Sequence, residues 1–180
     1  NDPNEEVWSS TIKLSALNSA QRDLVLTLLG YKREYSDVLD LLSEIQEKET
    51  QSVGTSGFDL DDMDERYFLR NGYVNSSILD QDDVTRWIEK IATSKMGITE
   101  NRYFEGTTRD PKCRITGNTY FLLITVGDYP RNVDFYYVGQ PYTLATSASG
   151  TGKTQSVATC ELNPLMHDLV VLMAEVKLRR

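Results

Sequence analysis

The pattern most suggestive of catalysis is the run SASGTGKT at residues 147–154. A phosphate-binding loop has Gly-x4-Gly-Lys-Ser/Thr after a buried strand and before a helix, so that backbone N–H groups and the lysine hold the phosphates of a nucleotide. The residues from Gly152 to Thr154 match the end of that pattern, but Ser147 stands where its first glycine should be. Because residues 157–162 look extended rather than helical, we predict a mobile Gly/Ser loop here and no nucleotide site.

Histidine and cysteine, which often act in catalysis or bind metals, do not occur here at the spacings that such sites require. His167 is the single histidine and is followed by Asp168, but adjacent positions on a helix do not face each other. Cys113 and Cys160 lie in neither a CxxC nor a metal-ligand spacing, and we interpret both as reduced thiols of an intracellular protein. The sequence therefore predicts no catalytic residue, no cofactor-binding residue and no metal ligand.

The acidic residues are concentrated in one part of the chain. Residues 59–65 contain five of them, but their order does not satisfy the calcium-binding EF-hand pattern, which requires a glycine at its sixth position. The wider segment 34–66 holds eleven Asp or Glu residues against Lys48 and Arg66, within a chain of formal net charge −8. Without a basic cluster, a nucleic-acid-binding surface is not expected. The segment is either a solvated acidic face or a surface that repels DNA, as the lumen of a DNA-conducting ring would.

Two helices are predicted near the amino end. The first runs from Ser9 or Ser15 to Leu29, where its apolar residues recur at helical spacing and Gly30 is a good stop. The second covers residues 35–48 and has its own apolar stripe. Helices of this kind must pack their apolar faces against another element.

The closing helix, residues 161–180, has the clearest signals. Asn163 can cap its amino end, and Pro164 suits the first helical position, where a missing N–H is no loss. Its apolar positions at helical spacing are Leu165, Met166, Leu169, Val170, Leu172, Met173 and Val176. So wide an apolar face predicts that the helix is buried on much of its circumference, against an element from early in the chain.

The region between these helices, residues 51–160, is predicted to be mixed and rich in β-structure. Three β-branched and aromatic runs separated by Gly-containing turns are typical of antiparallel strands. They cover residues 113–115, 119–126 and 133–138. Asp82 or Asp83 is expected to cap a short helix over residues 82–96.

Together these elements predict an α+β fold in a single domain, residues 1–180. Its helical part, residues 1–50, and the closing helix, residues 161–180, are expected to pack as a small helical bundle, with residues 51–160 inserted as an antiparallel β-rich region. No run approaches the length of a transmembrane helix, so contact with a membrane is not predicted.

Tyrosine is frequent in this sequence, with ten residues in 180. Tyr136, Tyr137 and Tyr142 cluster around a proline, and they either fill a strand core with their hydroxyls at the rim or form an aromatic protein–protein contact, since Tyr is enriched at interfaces. The candidate protein–protein contacts are Tyr136, Tyr137, Tyr142, His167, Arg179 and Arg180.

Three stretches of the sequence resemble head–tail connector proteins of tailed phages, which are also called adaptor or head-completion proteins. WSSTIKLSALNSAQRDLV, from Trp8 to Val25, is similar to the opening helix of that family. VDFYYVGQP, from Val133 to Pro141, is similar to its strand-then-proline element. CELNPLMHDLVVLMAEVKL, from Cys160 to Leu178, is similar to its closing helix. The three stretches cover about a quarter of the chain.

The resemblance implies a structural virion protein and no reaction. It implies a ring of identical subunits, commonly twelve, beneath the portal protein. That ring continues the DNA channel, through which DNA passes without sequence-specific binding, and it docks a tail or stopper protein. The protein would be made in the cytoplasm of the host bacterium and would reside in the virion.

Two hypotheses from other classes stay open. The chain could be a small regulatory or adaptor module that binds one protein partner through its Tyr-rich strands. It could also be a nucleotide-dependent enzyme that uses Lys153, in which case a Lys153→Ala variant would lose saturable ATP binding.

Overall fold

The computed structural model describes residues 8–31, 36–63, 68–79, 82–92, 106–117, 120–124 and 131–179. The α-helices are α1 (Ser10–Tyr31) and α2 (His167–Leu178). The strands are β1 (Gln46–Val53), β2 (Phe58–Asp59), β3 (Phe68–Leu79), β4 (Thr85–Trp87), β5 (Glu89–Lys90), β6 (Lys112–Thr116), β7 (Tyr120–Ile124), β8 (Arg131–Gly139), β9 (Thr143–Leu144) and β10 (Ser156–Val157). Short 3₁₀ helices cover Ser36–Ile45, Leu60–Asp62, Gly152–Thr154 and Pro164–Met166. The chain divides into two compact units, of which the first comprises residues 1–46 and 139–180 and the second residues 47–138.

The first unit is organised around α1, which contacts α2. The hydroxyl of Ser9 accepts a hydrogen bond from the Ile12 N–H at 3.4 Å, so a serine side chain satisfies one of the free N–H groups at the start of α1. At the other end of α2, Lys177 Nζ lies 2.5 Å from the Asp23 carboxylate and 2.9 Å from the Ser19 hydroxyl, both of α1. These contacts tie the last turn of α2 to the middle of α1.

Two amide side chains of α1 hold the strand segment that follows β8. Asn18 Nδ2 donates to the Leu144 carbonyl at 3.0 Å, and Asn18 Oδ1 accepts from the Leu144 N–H at 2.6 Å. Three residues later on the same helix face, Gln21 Nε2 donates to the Tyr142 carbonyl at 3.0 Å. The Cys160 thiol in turn donates to Gln21 Oε1 at 3.1 Å. Asn18 therefore satisfies the backbone of Leu144 as a neighbouring β-strand would.

The second unit contains two four-stranded sheets. One has the strand order β1-β8-β3-β4, and the other has the order β2-β7-β6-β5. β6 and β7 are antiparallel, with Cys113 opposite Leu123, while β5 runs parallel to β6. Gly106 lies so close to β7 that a Cβ on it would come 1.9 Å from the Ile124 carbonyl oxygen, so this position admits no side chain.

Side chains from both sheets form one hydrophobic core in the second unit. Phe135 of β8 is at its centre: its ring stacks on Phe58 at 5.7 Å and meets the edge of Phe121 at 4.8 Å between ring centres. The buried members are Val53, Leu60, Met63, Ile78, Ile88, Cys113, Phe121, Leu123, Val133, Phe135 and Tyr137. Inward and outward residues alternate along β8 up to Tyr137, as expected for a strand with one buried face.

The predicted helical bundle around an inserted β region is wrong. The fold is α+β, but the core of the second unit is built mainly from strands, and within the described residues α1 and α2 are the only α-helices. A bundle needs several helices around a shared interior, whereas these two form a single pair.

Two of the predicted helices account for that difference. Residues 36–45 of the predicted helix over 35–48 form a 3₁₀ helix, and the chain then continues as β1, which pairs with β8. The predicted helix over residues 82–96 is wrong for its described part, which forms β4 and β5. Residues 93–96 lie outside the described residues. The predicted strands over 113–115 and 133–138 are confirmed, as is the described part of the strand over 119–126.

Candidate interaction surfaces

The closing helix carries a row of exposed apolar side chains, which we call the α2 stripe: Leu165, Leu169, Leu172 and Val176. Their exposed fractions are 78%, 41%, 57% and 47%. The intervals of three and four residues place Leu169, Leu172 and Val176 on one side of α2, as in the seam of a coiled coil, and Leu165 lies in the 3₁₀ helix that precedes α2. Exposed apolar rows of this kind mark interaction sites in soluble proteins.

The prediction that this helix is buried on much of its circumference is wrong within the chain. Of α2, Val170 and Ala174 are buried. A narrow face of α2 is therefore covered, and the α2 stripe stays in solvent. The reason is that the apolar face of α2 is wider than one neighbouring helix, α1, can cover.

A second exposed apolar surface lies on the second unit, and we call it the aromatic face: Leu79, Trp87 and Tyr136. Ser77 pairs with Trp87 and Leu79 pairs with Thr85 across β3 and β4, so Leu79 and Trp87 point to the same side of the sheet. The Trp87 ring contacts the Tyr136 ring, with their centres 5.2 Å apart. Leu79 is 61% exposed and Trp87 is 57% exposed.

The two rings of the aromatic face meet above a buried serine. Strand β3 lies between β8, which carries Tyr136, and β4, which carries Trp87. Ser77 of β3 is opposite Trp87, is 1% exposed, and its Oγ has no hydrogen-bond partner. A buried hydroxyl without a hydrogen-bond partner lowers the stability of the fold. Ser77 therefore destabilises the sheet at the point where Trp87 lies opposite it.

An ion pair borders the aromatic face. Lys48 Nζ is 2.9 Å from Asp134 Oδ2 and 5.7 Å from the centre of the Tyr136 ring, while the Thr50 hydroxyl donates to Asp134 Oδ1 at 2.5 Å. Burial raises the pKa of Asp134, but the hydrogen bonds from Thr50 and Lys48 and the charge of Lys48 outweigh it, so the pKa is lowered. The hydrogen bond and charge of Asp134 raise the pKa of Lys48.

We expect Thr50→Val to raise the pKa of Asp134, because it removes a donor to the carboxylate. A carboxyl group whose pKa is lowered on folding stabilises the fold above its unfolded pKa, about 4, and loses that contribution as the pH falls through its folded pKa. The stability difference between wild type and Asp134→Asn should therefore be largest near neutral pH and shrink below about pH 4.

For Thr50→Val, a carboxyl-carbon NMR titration measures the pKa of Asp134. An identical Asp134 pKa in wild type and Thr50→Val would contradict the role of the Thr50 hydroxyl.

The structure separates the tyrosines that were predicted as contacts. Tyr136 is half-buried and belongs to the aromatic face. Tyr137 is 1% exposed, and its hydroxyl donates to Glu49 Oε2 at 3.2 Å, so its side chain is part of the core. Tyr142 is half-buried, and its backbone N–H donates to Glu161 Oε2 at 2.8 Å in the first unit.

The remaining predicted contact residues lie at the two ends of α2. His167 is half-buried at the start of the helix, and its Nε2 is 2.8 Å from the Leu162 carbonyl oxygen. Arg179 is exposed, and its guanidinium is 3.9 Å from the Glu175 carboxylate. Arg180 lies outside the described residues. Their roles as contacts with other proteins stay predictions.

The sequence motif most suggestive of catalysis does not have the structure of a phosphate-binding loop. In the loop at 147–154, a 3₁₀ helix at Gly152–Thr154 leads directly into β10, where a phosphate-binding loop would open a long helix. No group of three or more His, Cys, Asp or Glu side chains in the described ranges could hold a metal ion. Cys113 and Cys160 are free thiols, and burial raises the pKa of Cys160. Of the helices in these ranges, none is both long and apolar enough to cross a membrane.

Leu79, Trp87 and the Lys48–Asp134 pair were not among the residues predicted as functional from the sequence. The predicted helix over residues 82–96 contains both Trp87 and Ile88, whereas the structure buries Ile88 and exposes Trp87. Such opposite burial of adjacent residues is the period-two signal of a strand, but a strand of three residues is too short to show it in sequence.

Comparison with known proteins adds no assignment to these surfaces. No protein-family model matches this chain, and no curated protein matches it at a significant level.

Proposed function

We propose that this chain is a structural subunit that assembles with copies of itself, of the head–tail connector kind found in tailed-phage virions. The observation that carries the proposal is the α2 stripe, with Leu169, Leu172 and Val176 exposed along one side of α2 and Leu165 exposed just before it. Fully burying a Leu or Val side chain contributes about 1.5–3 kcal/mol, so covering this row favours association, against the translational and rotational freedom that association costs.

The sequence resemblance supports the same assignment. Its first and third stretches, Trp8 to Val25 and Cys160 to Leu178, contain most of α1 and all of α2, and the second contains most of β8. In the proposed assembly, a ring of commonly twelve copies binds the portal protein on one side and a tail or stopper protein on the other. The ring extends the DNA channel and acts without catalysis, cofactor or membrane.

The acidic segment suits a surface past which DNA moves. Of its described acidic side chains, Asp37, Asp40, Glu44, Asp61 and Asp62 are exposed. Exposed carboxylates repel phosphate groups, which would allow DNA to pass without sequence-specific binding.

The experiment is to measure the oligomeric state of the purified chain, alone and after mixing with portal rings, by light scattering and negative-stain microscopy. We expect rings, or monomers that form rings on the portal. Leu172→Glu should weaken the association, while Val171→Glu, which changes an exposed apolar residue of α2 outside the stripe, should leave it unchanged. A compact monomer that never associates with a portal would contradict the proposal.

A second candidate function is a small regulatory or adaptor module that binds one protein partner. The observation that favours it is the aromatic face, where the exposed Trp87 ring contacts the half-buried Tyr136 ring, because Trp and Tyr side chains are typical anchors of protein interfaces. This function predicts a single partner at defined stoichiometry and no ring, so the same measurement of oligomeric state distinguishes the two candidates.

A further inference from the structure

A small polar cleft lies within the first unit, between α1 and the segment that follows β8. Asn18, Gln21 and Arg22 line it from α1, Gln140 and Thr143 line it from the segment, and its volume is about 240 Å³. Sites for drug-sized ligands usually measure about 300–1,000 Å³. The cleft therefore has room for a compact polar group and not for a large cofactor.

The backbone that borders the cleft is already paired. Asn18 binds both the N–H and the carbonyl of Leu144. The Tyr142 carbonyl accepts from Gln21 Nε2 at 3.0 Å, and the Tyr142 N–H donates to Glu161 Oε2 at 2.8 Å. A peptide cannot bind this edge of the segment as an additional β-strand, because the backbone groups that such a strand would use are occupied. Recognition of a ligand is left to side chains.

Three side chains that line the cleft are available to a ligand. Arg22, Gln140 and Thr143 have no hydrogen-bond or ion-pair partner among the residues that the structure describes. A guanidinium offers five N–H donors and no acceptor, and an amide and a hydroxyl can donate as well. We propose that this cleft binds a carboxylate group, with Arg22 as its ion-pair partner and Gln140 and Thr143 as hydrogen-bond donors.

The charges around the cleft favour a ligand with a single negative charge. Arg22 is the charged residue in the lining, while its neighbour Asp23 is paired with Lys177 at 2.5 Å. Glu161 adds a negative charge beside the segment. One guanidinium matches one carboxylate, and its planar fork can bind both carboxylate oxygens.

A phosphate group fits the same cleft less well. It carries a charge of about −1.5 to −2 near neutral pH, and phosphate sites commonly use free backbone N–H groups. The N–H groups of Tyr142 and Leu144 are not free, because Glu161 and Asn18 accept from them. The carboxylate site does not depend on the proposed function, since no residue of the α2 stripe lines the cleft.

The test is an NMR titration of the full chain, in which the side-chain N–H signals of Arg22 and Gln140 report on the cleft. The probes are acetate, N-acetylglycylalanine and the carboxamide of that dipeptide, at low ionic strength because salt screens an exposed ion pair. One ion pair with two neutral hydrogen bonds supports a dissociation constant on the order of 1 mM. We expect both carboxylates to shift these signals and the uncharged carboxamide to leave them in place.

Variants show whether binding depends on the named side chains. Arg22→Gln should weaken acetate binding about tenfold or more, and Arg22→Lys, which keeps the charge without the planar fork, should fall between it and wild type. Thr143→Val should cost about two- to tenfold, as the loss of one neutral hydrogen bond. Arg22 and Thr143 are exposed, so we expect these variants to fold, which circular dichroism checks.

Arg179→Gln is the matched control. It removes an exposed positive charge of the same unit that does not line the cleft, and it should bind acetate as wild type does. Tighter binding of the dipeptide than of acetate would assign the site to the carboxyl terminus of a polypeptide, and the reverse order would assign it to a small acid. Either order supports the inference.

Four results would overturn the inference. They are equal affinity of Arg22→Gln and wild type, signal shifts confined to residues outside the cleft, carboxamide binding as strong as carboxylate binding, and inorganic phosphate binding more tightly than both carboxylates. Absence of any shift at about 10 mM probe, tenfold above the expected constant, would also show that the cleft binds no carboxylate. The proposed function would stand in each case, because the oligomeric state tests it separately.

Discussion

Replacing Phe135 by Ala should lower the free energy of unfolding by about 3–5 kcal/mol, the usual cost of removing a buried aromatic ring. Phe135 is fully buried, and its ring contacts Phe58 and Phe121, which belong to the opposite sheet. Its removal leaves a cavity between the two sheets and also breaks two aromatic contacts, each worth about 0.5–1.5 kcal/mol beyond the area they bury.

Urea unfolding followed by tryptophan fluorescence measures this loss. The chain has two tryptophans, and Trp87 lies in the same unit as Phe135, so a Trp8→Phe background makes the signal specific to that unit. Phe135→Leu is the matched control: it keeps most of the apolar volume and should lose less than Phe135→Ala. An unfolding midpoint for Phe135→Ala equal to that of wild type, at unchanged slope, would show that the proposed core is wrong.

Asn18→Ala should destabilise the first unit by about 2–4 kcal/mol, because it leaves both the N–H and the carbonyl of Leu144 without their partners. A backbone group that is shielded from water and unpaired costs about 1–3 kcal/mol, and Leu144 is 9% exposed. Asn18 supplies one donor and one acceptor to that residue, and alanine supplies neither.

Two further variants distinguish lost hydrogen bonds from lost helix stability. Asn18→Asp keeps the acceptor for the Leu144 N–H but directs a carboxylate oxygen at the Leu144 carbonyl, so we expect a loss that decreases below about pH 4, where the introduced group protonates and can donate. Arg22→Ala changes an exposed residue of the same helix and should alter stability by less than about 0.5 kcal/mol. Equal stability of Asn18→Ala and wild type in thermal unfolding would contradict the role of Asn18.

The parts of the fold that could be predicted from sequence depend on local interactions. The Asn163 side chain accepts a hydrogen bond from the Leu165 N–H at 3.1 Å, and Pro164 follows it, as the sequence indicates. Strands β6 and β8 lie where β-branched and aromatic residues are concentrated. Caps and β-branched runs act within a few residues of the chain, so their effects are visible without the fold.

The helices that were wrongly predicted lie where distant pairing overrides a local pattern. Residues 46–48 continue an amphipathic helical pattern, yet they begin β1, which pairs with β8 more than eighty residues away. Around Trp87 the Ile88 N–H donates to the Ser76 carbonyl at 2.9 Å, an interaction with β3 that no helix over 82–96 would allow. Helix propensity differs among ordinary residues by less than about 1 kcal/mol, so a few cross-strand hydrogen bonds and one buried side chain exceed it.

The same division applies to the candidate surfaces. Three features can be read from the amino-acid sequence: the positions of α1 and α2, the wide apolar arc of the closing helix, and the concentration of tyrosines near residues 136–142. Three others depend on contacts between distant parts of the chain: α1 leaves the α2 stripe exposed, Tyr137 is buried while Tyr136 contacts Trp87, and Lys48 pairs with Asp134. Periodicity reports which side chains share a face of one element, but whether that face is covered depends on which other elements reach it, and those are brought there by contacts between residues far apart in the chain.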